Sequence, residues 1–159
     1  MMLTDKNMMK LVWDEIYEAF KDKNIDYIAG IESRGFIFGM PLAYKMNCGF
    51  IPVRKPKKLP AEVISQEYEL EYGTDKIEIH KDALKKGDKV LIVDDFLANG
   101  EALRGLIDIV EKCNATVVGC CVQIEKEYQN GGNTLRNKGY KVIALASIKE
   151  MTSNKILFN

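Results

Sequence analysis

Apolar residues three or four positions apart mark four helical segments along the chain. This spacing places apolar side chains on one face of a helix, which then packs against a core. A cap at Thr4 or Asp5 begins the first segment, the second runs from about Phe36 to Met46 with Pro41 as a weak point, and a short fourth lies near Thr134. The clearest apolar stripes are Met9, Val12, Ile16 and Phe20 in the first segment and Leu103, Leu106, Ile107 and Val110 in the third.

Short apolar runs between these helices predict buried strands, and two more polar strands flank a turn at Gly73-Thr74. The apolar strands are predicted at 25–31, 50–53, 89–93, 117–124 and 140–146, and the polar ones at 62–72 and 76–80. Because buried strands alternate with helices, the pattern indicates an α/β fold with a mainly parallel central sheet flanked by helices. No repeat or low-complexity linker interrupts it, so residues 1–159 are predicted to form one domain.

Composition narrows the classes of partner. Of the 159 residues, 47% are hydrophobic, enough for a real core, and 23 basic residues balance 23 acidic ones. This balance argues against nucleic acid as the main partner, and no apolar run is long enough to span a membrane. The cysteines show no metal-ligand spacing and indicate reduced thiols in a cytoplasmic protein: Cys48, Cys113, Cys120 and Cys121.

One segment carries most of the chemical information. An apolar strand reaches the adjacent carboxylates Asp94 and Asp95, a small-residue loop Ala98–Gly100 follows, and then a helix begins. The free N–H groups and dipole of a helix N-terminus favour a phosphate. The carboxylates accept hydrogen bonds from a diol. Phosphate beside diol describes a ribose 5-phosphate.

This segment resembles the phosphoribosyl-diphosphate (PRPP) signature of type I phosphoribosyltransferases. The resemblance implies that Asp94 and Asp95 hold the ribose hydroxyls and take part in catalysis. It also implies that a backbone loop binds the 5-phosphate, with the residues Ala98, Asn99, Gly100, Glu101 and Ala102. Asn99, Glu101 and Ala102 depart from the usual Thr, Gly and Thr. A carboxylate at a helix start repels a bound phosphate, so we expect the Glu101 side chain to point away from the loop.

Residues 25–85 resemble adenine phosphoribosyltransferases. The matching stretches are Gly30–Gly39 with Arg34 in a turn after a strand, the basic segment Phe50–Pro60, and Tyr68–Gly73. The resemblance implies that the PRPP diphosphate meets Arg34, Arg54, Lys55 and Lys58. It further implies that the two polar strands form a flexible antiparallel flap, with Glu71 as a catalytic residue and Tyr72 close to the bond that breaks.

Residues 89–158 resemble xanthine phosphoribosyltransferases, through the Ala-Asn-Gly loop and through Val122–Gly132. In those enzymes the lysine that matches Lys126 contacts an oxygen of the base. A cationic Lys126 donates to a carbonyl oxygen and repels an amine hydrogen, which favours xanthine or another 6-oxopurine. The adenine-like stretch is more extensive, so formation of AMP from adenine and PRPP is the preferred prediction and xanthine use is the alternative.

The strand ends support this interpretation independently of any family. In parallel sheets, ligands bind beyond the carboxyl ends of the strands. Four predicted strands run into residues suited to a phosphorylated ligand, so we expect these segments to meet at one rim: Glu32–Gly35, Arg54-Lys55, Asp94–Gly100 and Glu125-Lys126.

The resemblance has further implications. It implies Mg²⁺ bound mainly through the diphosphate, with no protein metal ligand assigned, and a homodimer to which exposed Phe36 and Tyr44 contribute. It also implies a hood over the base ahead of the first helix, which here is expected to be reduced or missing. Two other classes share parts of this pattern: a regulatory protein that binds PRPP without catalysis, and a phospho-accepting receiver domain. The receiver requires another aspartate at a strand end, and neither 25–31 nor 50–53 ends in one.

Overall fold

A computed structural model describes residues 2–159. The helices are α1 (Lys6–Phe20), α2 (Arg34–Met46), α3 (Glu101–Lys112) and α4 (Gly131–Asn137). The strands are β1 (Tyr27–Ile31), β2 (Gly49–Val53), β3 (Val63–Leu70), β4 (Gly73–His80), β5 (Lys89–Leu97), β6 (Thr116–Lys126), β7 (Val142–Thr152) and β8 (Lys155–Phe158). A single 3-10 turn, Met2–Thr4, precedes α1. Within the described part of the chain, no helix has the length and apolar character needed to cross a membrane.

Six strands form the central sheet in the order β2-β1-β5-β6-β7-β8, and β3 and β4 form a separate antiparallel hairpin. Neighbouring strands from β2 to β7 run parallel, and β8 pairs antiparallel with β7. This confirms the predicted α/β fold with a mainly parallel sheet. The strand β8 was not predicted, because the exposed residues at the end of the chain carry no buried apolar pattern.

Helices and the hairpin cover the two faces of the sheet. The α1 and α2 side holds one core cluster with Ile28, Leu91 and Val93, and the α3 side holds another that includes Ile92. The hairpin also joins the α3 side, since Ile77 and Ile79 are fully buried there. Adjacent residues of a strand point to opposite faces. Accordingly Cys120 and Cys121 belong to different clusters, and all four cysteines are free.

The helix boundaries follow from local chemistry. Asp5, rather than Thr4, is the N-cap of α1, and its side chain accepts hydrogen bonds from the N–H groups of Asn7 (2.9 Å) and Met8 (3.2 Å). The second helix begins at Arg34, two residues before the predicted start, and continues through Pro41. Phe36 was expected to be exposed, but it is half-buried because its ring packs edge-on against Phe50 at 5.8 Å.

Three predicted boundaries were wrong for reasons that the sheet explains. The strand β5 does not stop at the acidic pair but continues to Leu97, because Phe96 and Leu97 pair with residues of β6. The hairpin turn lies at Glu71-Tyr72 rather than Gly73-Thr74, and Gly73 begins β4 with a φ of +125°. The strand β7 extends to Thr152 because β8 adds an antiparallel partner to its end.

Candidate active site

The carboxyl ends of β2, β1, β5 and β6 lie side by side along one rim. The parallel register aligns Ile31 with Val53, and the next pairs along the sheet are aligned in the same direction. Each of the four candidate segments therefore lies at the carboxyl end of one of four adjacent strands, either within its last residues or directly after it. This confirms the prediction that they meet at one edge of the sheet, where ligands of α/β proteins bind.

The acidic pair lies at the centre of this rim. Burial raises the pKa of Asp94 to about 7, and the neighbouring charge of Asp95 adds to the effect, although the Asp95 backbone N–H donates to Asp94 Oδ1 at 2.9 Å. Arg34 Nε lies 2.6 Å from Asp95 Oδ2. This Asp95 oxygen is buried, with the Arg34 guanidinium beside it. A carboxylate has several acceptor sites, so the Asp95 carboxylate keeps capacity for a diol hydroxyl.

The loop Ala98–Gly100 turns the chain from β5 into α3. Gly100 is the N-cap of α3 with a φ of +81°, a conformation that favours glycine. Gly131, the first residue of α4, donates its N–H to the Ala98 carbonyl at 3.1 Å. A Cβ on Gly131 would lie 2.2 Å from that carbonyl oxygen. Two glycines therefore shape this loop, one by its backbone conformation and one by close contact.

Cations gather at the ends of β1 and β2 around the Glu32 carboxylate. Arg54 Nη2 lies 3.6 Å from Glu32 Oε2, and the Lys55 backbone N–H donates to Glu32 Oε1. Arg54 also donates from Nη1 to the Lys58 carbonyl at 3.2 Å, while its buried Nε has no partner. The Lys55 ammonium instead bonds to Asp75 of the hairpin, a residue that sequence reasoning missed.

Phe96 is a second residue that sequence reasoning missed. The residue is 41% exposed, and the Arg34 guanidinium carbon lies 5.8 Å and the Lys126 Nζ 5.7 Å from the centroid of its ring. The signal was present in the sequence: a large aromatic residue follows an acidic pair at a strand end. The structure thus brings Lys126 to the same rim as Arg34 and Asp95.

The phosphoribosyl transferase domain family matches residues 2–152. The chain belongs to the phosphoribosyl transferase family. An adenine phosphoribosyltransferase of Halothermothrix orenii is 49% identical over 144 residues, which cover 91% of this chain and 84% of that protein. This likeness extends well past residue 85, so resemblance to adenine enzymes is not confined to residues 25–85.

Solved structures of the family share the fold. The crystal structure of adenine phosphoribosyltransferase from Thermoanaerobacter pseudethanolicus is 43% identical with a TM-score of 0.87, covering 92% of this chain and 84% of that chain. The Saccharomyces cerevisiae enzyme, crystallised with adenine and an imino-altritol bisphosphate, is 36% identical with a TM-score of 0.83, covering 91% and 82%.

Two sets of predicted site residues, Glu71 with Tyr72 and Glu101, do not take part in the contacts described at the rim. Glu71 and Tyr72 form the exposed tip of the hairpin, with Tyr72 92% exposed, and no described contact joins them to the acidic pair. Glu101 lines a cavity of about 300 Å³ between α3, α4 and β3, together with Tyr68 and Arg104. The direction expected for the Glu101 side chain stays a prediction.

The donor set of this phosphoribosyl transferase fits a cation carried by the substrate. Within residues 2–159, no group of three or more His, Cys, Asp or Glu side chains is arranged to hold a metal ion. Mg²⁺ prefers phosphate oxygens, water and one or two carboxylates to an all-protein cage. The residues present are compatible with Mg²⁺ held mainly through a bound diphosphate.

Proposed function

We propose that this protein transfers the 5-phosphoribosyl group of PRPP to adenine, forming AMP and diphosphate. The observation that carries the proposal is the identity of 49% to a named adenine phosphoribosyltransferase over 91% of the chain. The arrangement of the rim supports it, since groups suited to a phosphate, a diol and a diphosphate lie at the carboxyl ends of adjacent strands.

In this proposal each part of the rim holds one part of PRPP. The backbone of Ala98–Ala102 binds the 5-phosphate, and Asp94 and Asp95 accept hydrogen bonds from the ribose hydroxyls. Arg34, Arg54, Lys55 and Lys58 bind the diphosphate. The C–O bond breaks with its electron pair leaving on the diphosphate, the base nitrogen forms the new bond to the sugar carbon and releases its proton to solvent, and positive charge develops on the sugar. Two carboxylates beside that charge stabilise it where water is excluded.

The hairpin and the metal complete the proposed site. We propose that the tip with Glu71 covers the reacting sugar, since a sugar cation exposed to water would hydrolyse. When bound, Mg²⁺ neutralises part of the diphosphate charge, and we assign its ligands to the diphosphate and water. A homodimer stays a prediction, to which the 90% exposed Tyr44 is suited. Light scattering on the purified protein measures it.

The base site is proposed at Phe96 and Lys126. An exposed aromatic ring offers a stacking surface for a purine, and the Lys126 ammonium lies over the same ring. This ammonium is the specific observation that favours a second candidate, transfer to xanthine or another 6-oxopurine, because it donates to a carbonyl oxygen. Its removal in Lys126→Leu is expected to abolish use of xanthine while leaving use of adenine.

The decisive experiment measures diphosphate release from PRPP with adenine, hypoxanthine, guanine and xanthine as competing bases. The proposal expects AMP as the dominant product and release that depends on the base. Dominant formation of the xanthine nucleotide would replace it with the second candidate. Binding of PRPP without release for any base would identify a regulatory protein instead of an enzyme.

A further inference from the structure

The Lys55 ammonium is held by a pair of residues that face each other across the hairpin. Lys55 Nζ donates to Asp75 Oδ2 and, at 2.9 Å, to Tyr68 Oη. The Tyr68 hydroxyl in turn donates to Asp75 Oδ2 at 3.0 Å, and its ring centroid lies 5.5 Å from the ammonium. Tyr68 and Asp75 are direct partners in the β3–β4 register. The cross-strand pair Tyr68 and Asp75 therefore binds the Lys55 ammonium.

The backbone of Lys55 belongs to the rim, although its ammonium belongs to the hairpin. Its N–H donates to the Glu32 carboxylate, which also faces Arg54. The Lys55 side chain thus links the diphosphate end of the rim to the hairpin through an ion pair.

The contact of Lys55 with Asp75 and Tyr68 lies between the buried base of the hairpin and its exposed turn. On one side of Asp75, Ile77 and Ile79 are fully buried and fix the base of the hairpin in the core. On the other side, the turn at Glu71 and Tyr72 is exposed. Asp75 therefore lies between the buried base of the hairpin and its exposed tip.

The Lys55 ammonium is held by Asp75 and Tyr68, yet this contact is exposed enough for a bound anion to replace Asp75. Burial lowers the pKa of Lys55 and raises that of Asp75, but the bonds between them outweigh burial, so the Lys55 pKa is raised overall and the Asp75 pKa is lowered. The two side chains are 38% and 34% exposed. Pairs of this exposure contribute little to stability, and a diphosphate carries several charges with which to compete for the same ammonium.

We propose that Asp75 is a positioning residue that competes with diphosphate for Lys55. Without ligand, Asp75 and Tyr68 hold the ammonium and the tip half of the hairpin. When PRPP or diphosphate binds, the ammonium moves to the diphosphate oxygens and the tip half is released to cover the site. This inference rests on the proposed function, because it requires a diphosphate-containing ligand at the rim.

The test compares Asp75→Asn with a matched control in the same hairpin. Glu62→Gln removes the carboxylate that pairs with Lys81 at 3.3 Å, at the end of the hairpin opposite the tip. Calorimetry with inorganic diphosphate and Mg²⁺ measures affinity, initial rates give the KM for PRPP and kcat, and hydrogen exchange follows residues 63–80. Asp75→Asn is expected to tighten diphosphate binding and lower KM by about 2- to 5-fold. It should also speed exchange near residues 68–75 without ligand. Glu62→Gln should change neither the affinity nor KM.

A second variant makes the test independent of the folding of Asp75→Asn. Tyr68→Phe keeps the ring and removes the hydroxyl, so a smaller change in the same direction is expected. Unchanged or weaker diphosphate binding in both variants, with a wild-type protein that does bind diphosphate, overturns the inference alone. A wild-type protein that binds neither diphosphate nor PRPP overturns the proposed function as well.

Discussion

Arg34 Nε lies 2.6 Å from Asp95 Oδ2, so a cation assigned to the diphosphate neutralises a carboxylate assigned to the ribose diol. The two residues come from different strand ends and meet only because β1 and β5 are neighbours in the sheet. The ion pair places a cation beside a buried carboxylate before any ligand arrives. Its unused hydrogen-bonding capacity is what a sugar hydroxyl would satisfy.

Asp95→Asn tests this assignment, because the change is nearly isosteric and removes only the charge. We expect kcat/KM to fall by roughly 100-fold or more, since a carboxylate stabilises the developing sugar cation far better than an amide. Steady-state rates of AMP formation measure the loss, and far-UV circular dichroism checks the fold. Asp22→Asn, in the exposed turn after α1, is the control with no expected effect. Wild-type rates in Asp95→Asn would refute the diol assignment.

Asp94 makes a distinct prediction about stability and pH. Its pKa rises from 3.8 to about 7 on folding, so the folded state holds this proton more tightly than the unfolded state does. The contribution of Asp94 to stability is therefore fully present below pH 4 and is lost as the pH rises to about 7. Asp94→Asn cannot ionise, and we expect it to exceed wild type in unfolding free energy by up to about 4 kcal/mol at pH 8, with little difference at pH 4.

Urea unfolding of both proteins at several pH values measures this difference. Asp82→Asn, which changes an exposed carboxyl on the loop after β4, controls for the change in net charge. A constant difference between Asp94→Asn and wild type from pH 4 to pH 8 would contradict the raised pKa.

The parallel sheet and the convergence of the rim were predictable from the sequence, because both depend on local patterns and on one rule of sheet topology. Asp94 and Asp95 were recognisable as a pair because they interrupt an apolar strand. The extension of β5 to Leu97 was not, since it depends on pairing with β6. The position of Phe96 after the acidic pair is visible in the sequence, but its contacts with Arg34 and Lys126 depend on how neighbouring strand ends meet.

Contacts between distant segments were the part that the sequence could not predict. Asp75 lies in a polar strand whose charges look solvated, and its contact with Lys55 depends on how the hairpin docks on the rim. The contact of Gly131 with Ala98 likewise joins two loops that are far apart along the chain. Such contacts arise from packing and leave no periodic pattern in either segment.

Gly131→Ala tests whether α4 shapes the proposed phosphate loop. The added methyl group would lie 2.2 Å from the Ala98 carbonyl oxygen and 2.7 Å from the Asn99 carbonyl carbon, so the loop must move. We expect KM for PRPP to rise by about 10-fold or more, since small displacements of a binding loop have large effects. Asn137→Ala, which changes an exposed residue of the same helix, is the control. An unaltered KM in Gly131→Ala would show that the loop does not bind PRPP or that α4 yields.

Gln123 tests the energetics of the core beneath the rim. Its side chain is buried in β6, and neither its Oε1 nor its Nε2 has a hydrogen-bond partner. An amide buried without partners costs about 1–3 kcal/mol in proteins, and leucine has a similar volume without polar atoms. We therefore expect Gln123→Leu to raise the unfolding free energy by about 1–3 kcal/mol, measured as a higher urea midpoint with an unchanged m-value.

A second glutamine provides the matched control for this gain. Gln66 donates to the Glu67 carbonyl at 2.9 Å and accepts from Lys112, so its amide already has partners and Gln66→Leu is expected to give no increase. A lower urea midpoint for Gln123→Leu would mean that the amide is hydrogen-bonded in solution. In that case the leucine removes hydrogen bonds of the Gln123 amide and does not relieve the cost of an unpaired buried amide.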